Sequence, residues 1–225
     1  INYIKNKIKV DKKINISIKN DDIKNIANSF SLGVKKFSST FEKIKPDAIL
    51  ILGDRYEIFT CAIAACLNRI PIIHLHGGER TEGLIDENIR HSITKLSHIH
   101  FVSTKEYQKR VIQLGENKKM VFNVGSLGTE AIKNIKPIKK SKLEKKLNIN
   151  FKKKIALISY HPETLEKKKN KKNLINFLNA LSEMKNFTLV FTMPNADIGY
   201  KYIVKELKKF TKKNKNSILI KSLGH

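Results

Sequence analysis

A chain of 225 residues is long enough to bury a substantial core, in one large domain or two small ones. Its 45 lysines and arginines against 20 acidic residues give a net charge of +25, but the lysines are mixed with Asn and Ile throughout, as an AT-rich coding sequence produces. No groove-reading or aromatic-interleaved motif accompanies them, which argues against a dedicated nucleic-acid module. Cys61 and Cys66, five apart in one predicted helix, make neither a disulfide framework nor a zinc motif, and no run approaches the ~18 apolar residues of a membrane span; the expected setting is reduced and cytoplasmic.

The chain opens at Ile1 with a strand-like run (Ile8–Val10) and closes at His225 just after another expected strand, so it reads as the middle of a longer protein. From Ile23 the period changes. Ile23, Ile26, Ala27, Phe30, Val34, Phe37, Phe41 and Ile44 follow helical spacing, with Asp21 and Asp22 as N-terminal caps and Pro46 as the stop. Strands and helices then alternate. Strand Ala48–Leu52, helix Glu57–Leu67, strand Pro71–Leu75, helix Asp86–Leu96 and strand His98–Val102 come in turn. A helix with a Ser103/Glu106 capping box, ended by Gly115, leads to strand Met120–Val124. This order means crossover units and a parallel sheet.

Apolar density falls over Lys133–Lys153, where Pro137 and a short helix capped by Ser141 mark a connection. A second alternation follows: strand Ile155–Ser159, helix Leu174–Met184, strand Thr188–Thr192, helix Tyr200–Phe210 and strand Ile218–Ile220. The lysine runs Lys167–Lys172 and Lys208–Lys215 read as solvated loop and helix faces. The domains expected are 1–136, a linker 137–153, and 154–225.

Ligands of open parallel sheets bind outside the carboxyl ends of the strands. Here successive strand ends present Asp54-Arg55, then His76 with Glu79, then Ser103, Ser126, His161, and Asn195 with Asp197. Asp86 and Arg90 share one helical face, as do Glu87 and His91. This places a site at the top of the first sheet, faced by His161 from the second domain. Simpler roles compete for some of these residues. An Asp after a glycine caps the next helix more often than it catalyses, Asp86 suits a helix N-terminus, and His74, inside an apolar strand, reads as a core histidine. His91 and His98 read as packing or surface residues. His74-x-His76 with Glu79 invites a metal, but too few further ligands follow, so no metal is expected. Gly77-Gly78 is not a full phosphate-binding fingerprint.

The stretches LGDRYEI (Leu52–Ile58), IPIIHLHGGERTEG (Ile70–Gly83), IDENIRHSITKLSHIHF (Ile85–Phe101), RVIQLGE (Arg110–Glu116), VFNVGSLG (Val121–Gly128) and HPET (His161–Thr164) together resemble the hydrolysing UDP-N-acetylglucosamine 2-epimerases, in the branch serving nonulosonate synthesis. The resemblance implies an α/β fold of GT-B type, with two Rossmann-like parallel-sheet domains, both incomplete at the chain ends, and the active site between them. It implies elimination of UDP across C1–C2 to a glycal, then hydration with the opposite configuration at C2. Asp54 and Asp86 then take acid/base roles, and His161 stabilises or protonates the leaving diphosphate. Arg55, Ser126 and Asn195 contact substrate, and Arg90 fixes the Asp86 carboxylate on its own helical face or contacts a sugar oxygen. Several relatives carry a Glu where His76 stands, so proton transfer passes to His76 or Glu79. The substrate is UDP-N-acetylglucosamine or a 2,4-diacetamido-trideoxy sugar nucleotide used for legionaminic acid. No cofactor, nucleic acid or membrane partner is implied; a homo-oligomer is. The family's N-terminal nucleotide loop and C-terminal uridine-binding loop have no counterpart here, so the chain alone is expected to be inactive and, through exposed sheet edges, poorly soluble. A UDP-sugar glycosyltransferase and a basic binding module are the alternative readings.

Overall fold

The structure is a computed structural model and describes residues 8–16, 23–152, 154–161, 167–194 and 199–221. The chain divides into two compact units, the first comprising Ile1–Thr81 and Asp86–Ser126, the second Glu82–Ile85 and Leu127–His225.

In the first unit α1 (Ile23–Ile44), β1 (Ile49–Leu52), α2 (Tyr56–Leu67), β2 (Ile72–Leu75), α3 (Ile85–Leu96), β3 (Ile99–Val102), α4 (Lys105–Gln113) and β4 (Val121–Asn123) follow one another. The four strands are parallel in the order β1-β2-β3-β4. Right-handed crossovers that all step in one direction stack their helices on one face. The core is accordingly one-sided at β1, where Ile49 and Ile51 are buried while Leu50 and Leu52 are 62% and 50% exposed. Ala62, Ala64 and Ala65 are fully buried on α2, and such small side chains let a helix lie close to its neighbours. The apolar stripe of α1 puts Phe41 into this core and Phe30 edge-on to Phe59, 5.6 Å between ring centroids, whereas the terminal Ile23 and Ile44 stay exposed. Val102, Val111 and Val121 form a smaller cluster under α4.

In the second unit α5 (Leu127–Asn134), α6 (Lys140–Leu147), β5 (Lys154–Ile158), α7 (Lys167–Ser182), β6 (Phe187–Thr192), α8 (Tyr200–Lys213) and β7 (Ser217–Ile220) build a parallel sheet of order β5-β6-β7. The central strand β6 is covered on both faces. Leu189 and Phe191 pack with Leu174, Leu178 and Leu207. Val190 packs with Phe151 and Ile220, joined by Leu143, Leu147 and Ile149 from α6 and the turn after it.

Several expectations are corrected. Ile8–Val10 is not a strand. The N-cap of α4 is Thr104, whose hydroxyl accepts from the Tyr107 amide, in place of Ser103. α6 begins at Lys140 with Lys139 as N-cap, so Ser141 lies inside it. α7 starts seven residues before Leu174, because lysine is a good helix former and continues the helix it precedes. α5, short and wholly exposed, is not expected from the sequence, whose Gly128 and Thr129 in its first turn are poor helix formers. Asp21 and Asp22 lie outside the described residues.

Candidate functional site

The site of the first unit is built from the turns that follow β1 and β2. After β1, Gly53 turns with φ +109° and presents Asp54. Asp54 does not cap α2, whose N-cap is Arg55 without a side-chain bond; its carboxylate Oδ2 pairs with Arg90 Nη2. The Arg90 side chain is 5% exposed and that of Asp54 29%. Arg90 also donates from Nη1 to the Glu79 carbonyl at 2.7 Å and from Nη2 to Thr81 Oγ1 at 3.1 Å. One buried guanidinium thus ties the end of β1, the β2 loop and α3 together, and its charge is compensated by a carboxylate and further acceptors. Glu87 Oε2 accepts from the Thr81 amide at 2.8 Å, fixing the same loop from the first turn of α3.

β2 stops at Leu75, and His76 takes a left-handed φ of +63°. That conformation costs a non-glycine residue about 1 kcal/mol and marks a residue held by its surroundings. Its amide donates to the Phe101 carbonyl (2.8 Å), and its Nδ1 lies 2.8 Å from Glu79 Oε1. Ser103 donates to that same carboxylate oxygen at 3.3 Å. Gly77 and Gly78 are there for space. A Cβ on Gly78 would lie 2.5 Å from the Tyr107 carbonyl, and one on Gly77 3.1 Å from both His74 Nδ1 and Thr94 Oγ1.

Beneath this layer His74 is fully buried, with Nδ1 3.4 Å from Thr94 Oγ1. Burial, aided by His100 and Arg90, pushes its imidazole down to about 4 against smaller opposing effects of the Gly53 backbone and Asp54. His100, its neighbour across the β2–β3 ladder, is also lowered, by burial first, despite Glu116 at 3.2 Å. Both rings are neutral core groups near neutral pH. The His74-x-His76 alternation fails because the strand ends between the two residues, and among the described residues no three metal-binding side chains cluster.

In the second unit His161 follows β5, exposed, with Nε2 3.1 Å from Ser159 Oγ. Thr192, at the end of the adjacent β6, donates to Ser159 Oγ at 3.1 Å. Ser126, half-buried, follows β4. Asn195 and Asp197 lie outside the described residues.

The family model for UDP-N-acetylglucosamine 2-epimerase matches residues 2–225. The chain belongs to this family. It is 45% identical over 222 residues to a Campylobacter jejuni protein named GDP/UDP-N,N'-diacetylbacillosamine 2-epimerase (hydrolyzing), covering 98% of this chain and 58% of that one. It is 42% identical over 210 residues to the Escherichia coli polysialic acid biosynthesis protein P7, covering 93% and 54%. The chain therefore spans little more than half the length of these curated relatives. Among solved structures, the Rickettsia bellii UDP-N-acetylglucosamine 2-epimerase matches with TM-score 0.69 at 29% identity, over 90% of this chain and 53% of that one. The Neisseria meningitidis epimerase solved with UDP-GlcNAc matches with TM-score 0.75 at 21% identity, over 97% and 60%, a likeness of fold. With its two parallel sheets the chain has an α/β fold of GT-B type.

Of the residues singled out in the sequence, Asp54, His76, Glu79 and Arg90 come together in one cluster. Asp86 stands in the first turn of α3, one turn before Arg90. Arg55 pairs with Glu57 of its own helix at 3.2 Å. Sequence reasoning missed Thr81, the hold of Ser103 on Glu79, and Arg110. Arg110 lies four residues after Glu106 and pairs with it at 2.8 Å, which is ordinary helix-surface spacing and gives no sign that the same guanidinium also reaches Gly78.

Proposed function

We propose that this chain carries catalytic residues of a hydrolysing 2-epimerase acting on a UDP-N-acetyl-aminosugar. A base removes the C2 proton while the C1–O bond breaks, and UDP departs with the bonding pair, leaving a glycal. Water then adds its hydroxyl to C1 and a proton reaches C2 from the opposite face, giving the free 2-epimer. The observation that carries this reading is the cluster at the ends of β1 and β2. Asp54 is held by buried Arg90, and the His76–Glu79 pair hangs on the loop that Arg90 also holds. Elimination next to a weakly acidic C–H needs such fixed carboxylates and imidazoles within one site. In this reading Asp54 and Asp86 are acid/base groups, and His76 or Glu79, which meet each other, takes the proton-transfer role that a glutamate holds in several relatives. Arg55, Arg90, Ser126 and Asn195 contact the substrate, and His161, steadied by Ser159, serves the departing diphosphate.

The names of two relatives favour a 2,4-diacetamido-trideoxy sugar nucleotide as substrate, and that of a third favours nonulosonic acid synthesis as the purpose. A nucleotide-sugar substrate and two free cysteines suit the cytoplasm. The family resemblance suggests a homo-oligomer with no nucleic-acid or membrane partner.

The test supplies the full-length protein with each sugar nucleotide in deuterated water. Deuterium at C2 of a released 2-epimer, unaffected by chelator, is expected. UDP release without C2 deuterium, or sugar transfer to an acceptor, points instead to a glycosyltransferase, and chelator-sensitive turnover to a metal hydrolase. Asp86→Asn should lower kcat by about 10²–10⁴ while leaving the fold intact; a wild-type rate in that variant removes the role given to Asp86.

A further inference from the structure

The loop that carries His76 and Glu79 is gripped from α4, a helix that supplies none of the acid/base groups named above. Arg110, on α4, donates from Nη1 to the carbonyl of Gly78, the residue before Glu79. Its Nη2 donates to Glu106 at 2.8 Å, and the guanidinium lies 5.6 Å from the centre of the Tyr107 ring. The guanidinium is thus pre-oriented on its own helix before it meets the loop, so little freedom is lost in making the contact. Gly78 is pressed so near the Tyr107 backbone that even a methyl group would not fit. The loop therefore meets α4 at two places, one steric and one a charge-assisted hydrogen bond. From the start of the same helix region, Ser103 holds the Glu79 carboxylate that also meets His76.

We propose that Arg110 is a positioning residue for the His76–Glu79 pair, fixing the loop so that the pair keeps the orientation proton transfer requires. The proposal rests on the epimerase reading above. Arg110 touches no reacting group; it acts through the Gly78 carbonyl. Removing its donor frees the loop backbone without removing any group from the site, so the cost falls on the chemical step and not on substrate binding.

The test uses the full-length protein and two variants. Arg110→Met keeps the stem over Tyr107 and loses every donor; Arg110→Lys restores a donor and the charge. R110M should lose about 10- to 100-fold in kcat with KM within about threefold of wild type, and R110K should recover only part of the loss. Amide exchange over residues 77–80 should quicken by about tenfold or more in R110M while β2 and β3 keep their protection. Wild-type kcat in R110M, a loss confined to KM, or unchanged loop exchange overturns the proposal. If the wild-type protein places no deuterium at C2, the epimerase reading falls, and the exchange measurement still decides whether Arg110 latches the loop. Should R110M not fold, R110K carries both arms: a lysine can hold Gly78 or Glu106 but not both, so an intermediate kcat and faster loop exchange are expected, and wild-type values in both overturn the proposal.

Discussion

His74 points from β2 into the interior beside His100, and burial holds its imidazole down at about 4. An unfolded histidine titrates near ~6.5, so between these values the unfolded chain binds a proton that the folded chain refuses. Stability is therefore full above pH ~6.5 and falls as the pH drops toward about 4, by on the order of 3 kcal/mol from this residue. His100, lowered as well, contributes in the same direction. Urea unfolding at pH ~7.5 and ~4.5 measures the loss. His74→Phe, which keeps a ring and removes the titration, should reduce the difference between the two; an unchanged difference would assign it elsewhere. That His74 belongs to the core is legible from its place in an apolar run. That it lies beneath the Asp54–Arg90 pair and senses both charges is not.

The helix α1 is announced by spacing alone, but its packing partner is not. Gly33 meets Thr60 of α2 so closely that a Cβ would stand 2.7 Å from the hydroxyl oxygen and 3.0 Å from Thr60 Cβ. Thr60 is fully buried, and its hydroxyl donates to the Glu57 carbonyl at 2.7 Å, which fixes its rotamer. Gly33→Ala gains about 1 kcal/mol of helix propensity, but the overpacking is the larger effect, and a net loss of about 1–2 kcal/mol is expected in chemical denaturation. The double variant G33A/T60A should recover most of it relative to T60A. An alanine variant more stable than wild type would mean that the two helices separate easily. The same close approach accounts for Gly77 beside Thr94 of α3 and Gly78 beside Tyr107 of α4.

For the whole molecule the net charge of +25 is the dominant long-range property. Dispersed lysines attract any polyanion, so weak binding to DNA is expected without sequence preference, falling by about 10³-fold or more between ~50 and ~200 mM salt. Competition between unrelated duplexes in a salt series checks this. Sequence-selective binding that survives the higher salt would give the basic surface a role of its own. The chain also shows an uneven distribution of apolar surface. β6 is covered on both faces, whereas Leu50 and Leu52 of β1 and Leu157 of β5 remain exposed. The alternation of strands and helices, both parallel sheets and the strand boundaries follow from local pattern, whereas α5 and the start of α7 do not.

By itself the sequence determined the crossover architecture, the placing of Asp54, His76, Glu79 and His161 at strand ends, and the family. Periodicity and motif order are local properties that a linear chain displays. Only the tertiary structure decided which of these groups meet. Asp54 and Arg90 are 36 residues apart and pair only because β1 and α3 are brought to one end of the sheet. Arg110 and Gly78, 32 apart, meet only because α4 packs over the loop. Such contacts depend on the register and approach of whole elements, which burial of the common core fixes and no short stretch of residues encodes.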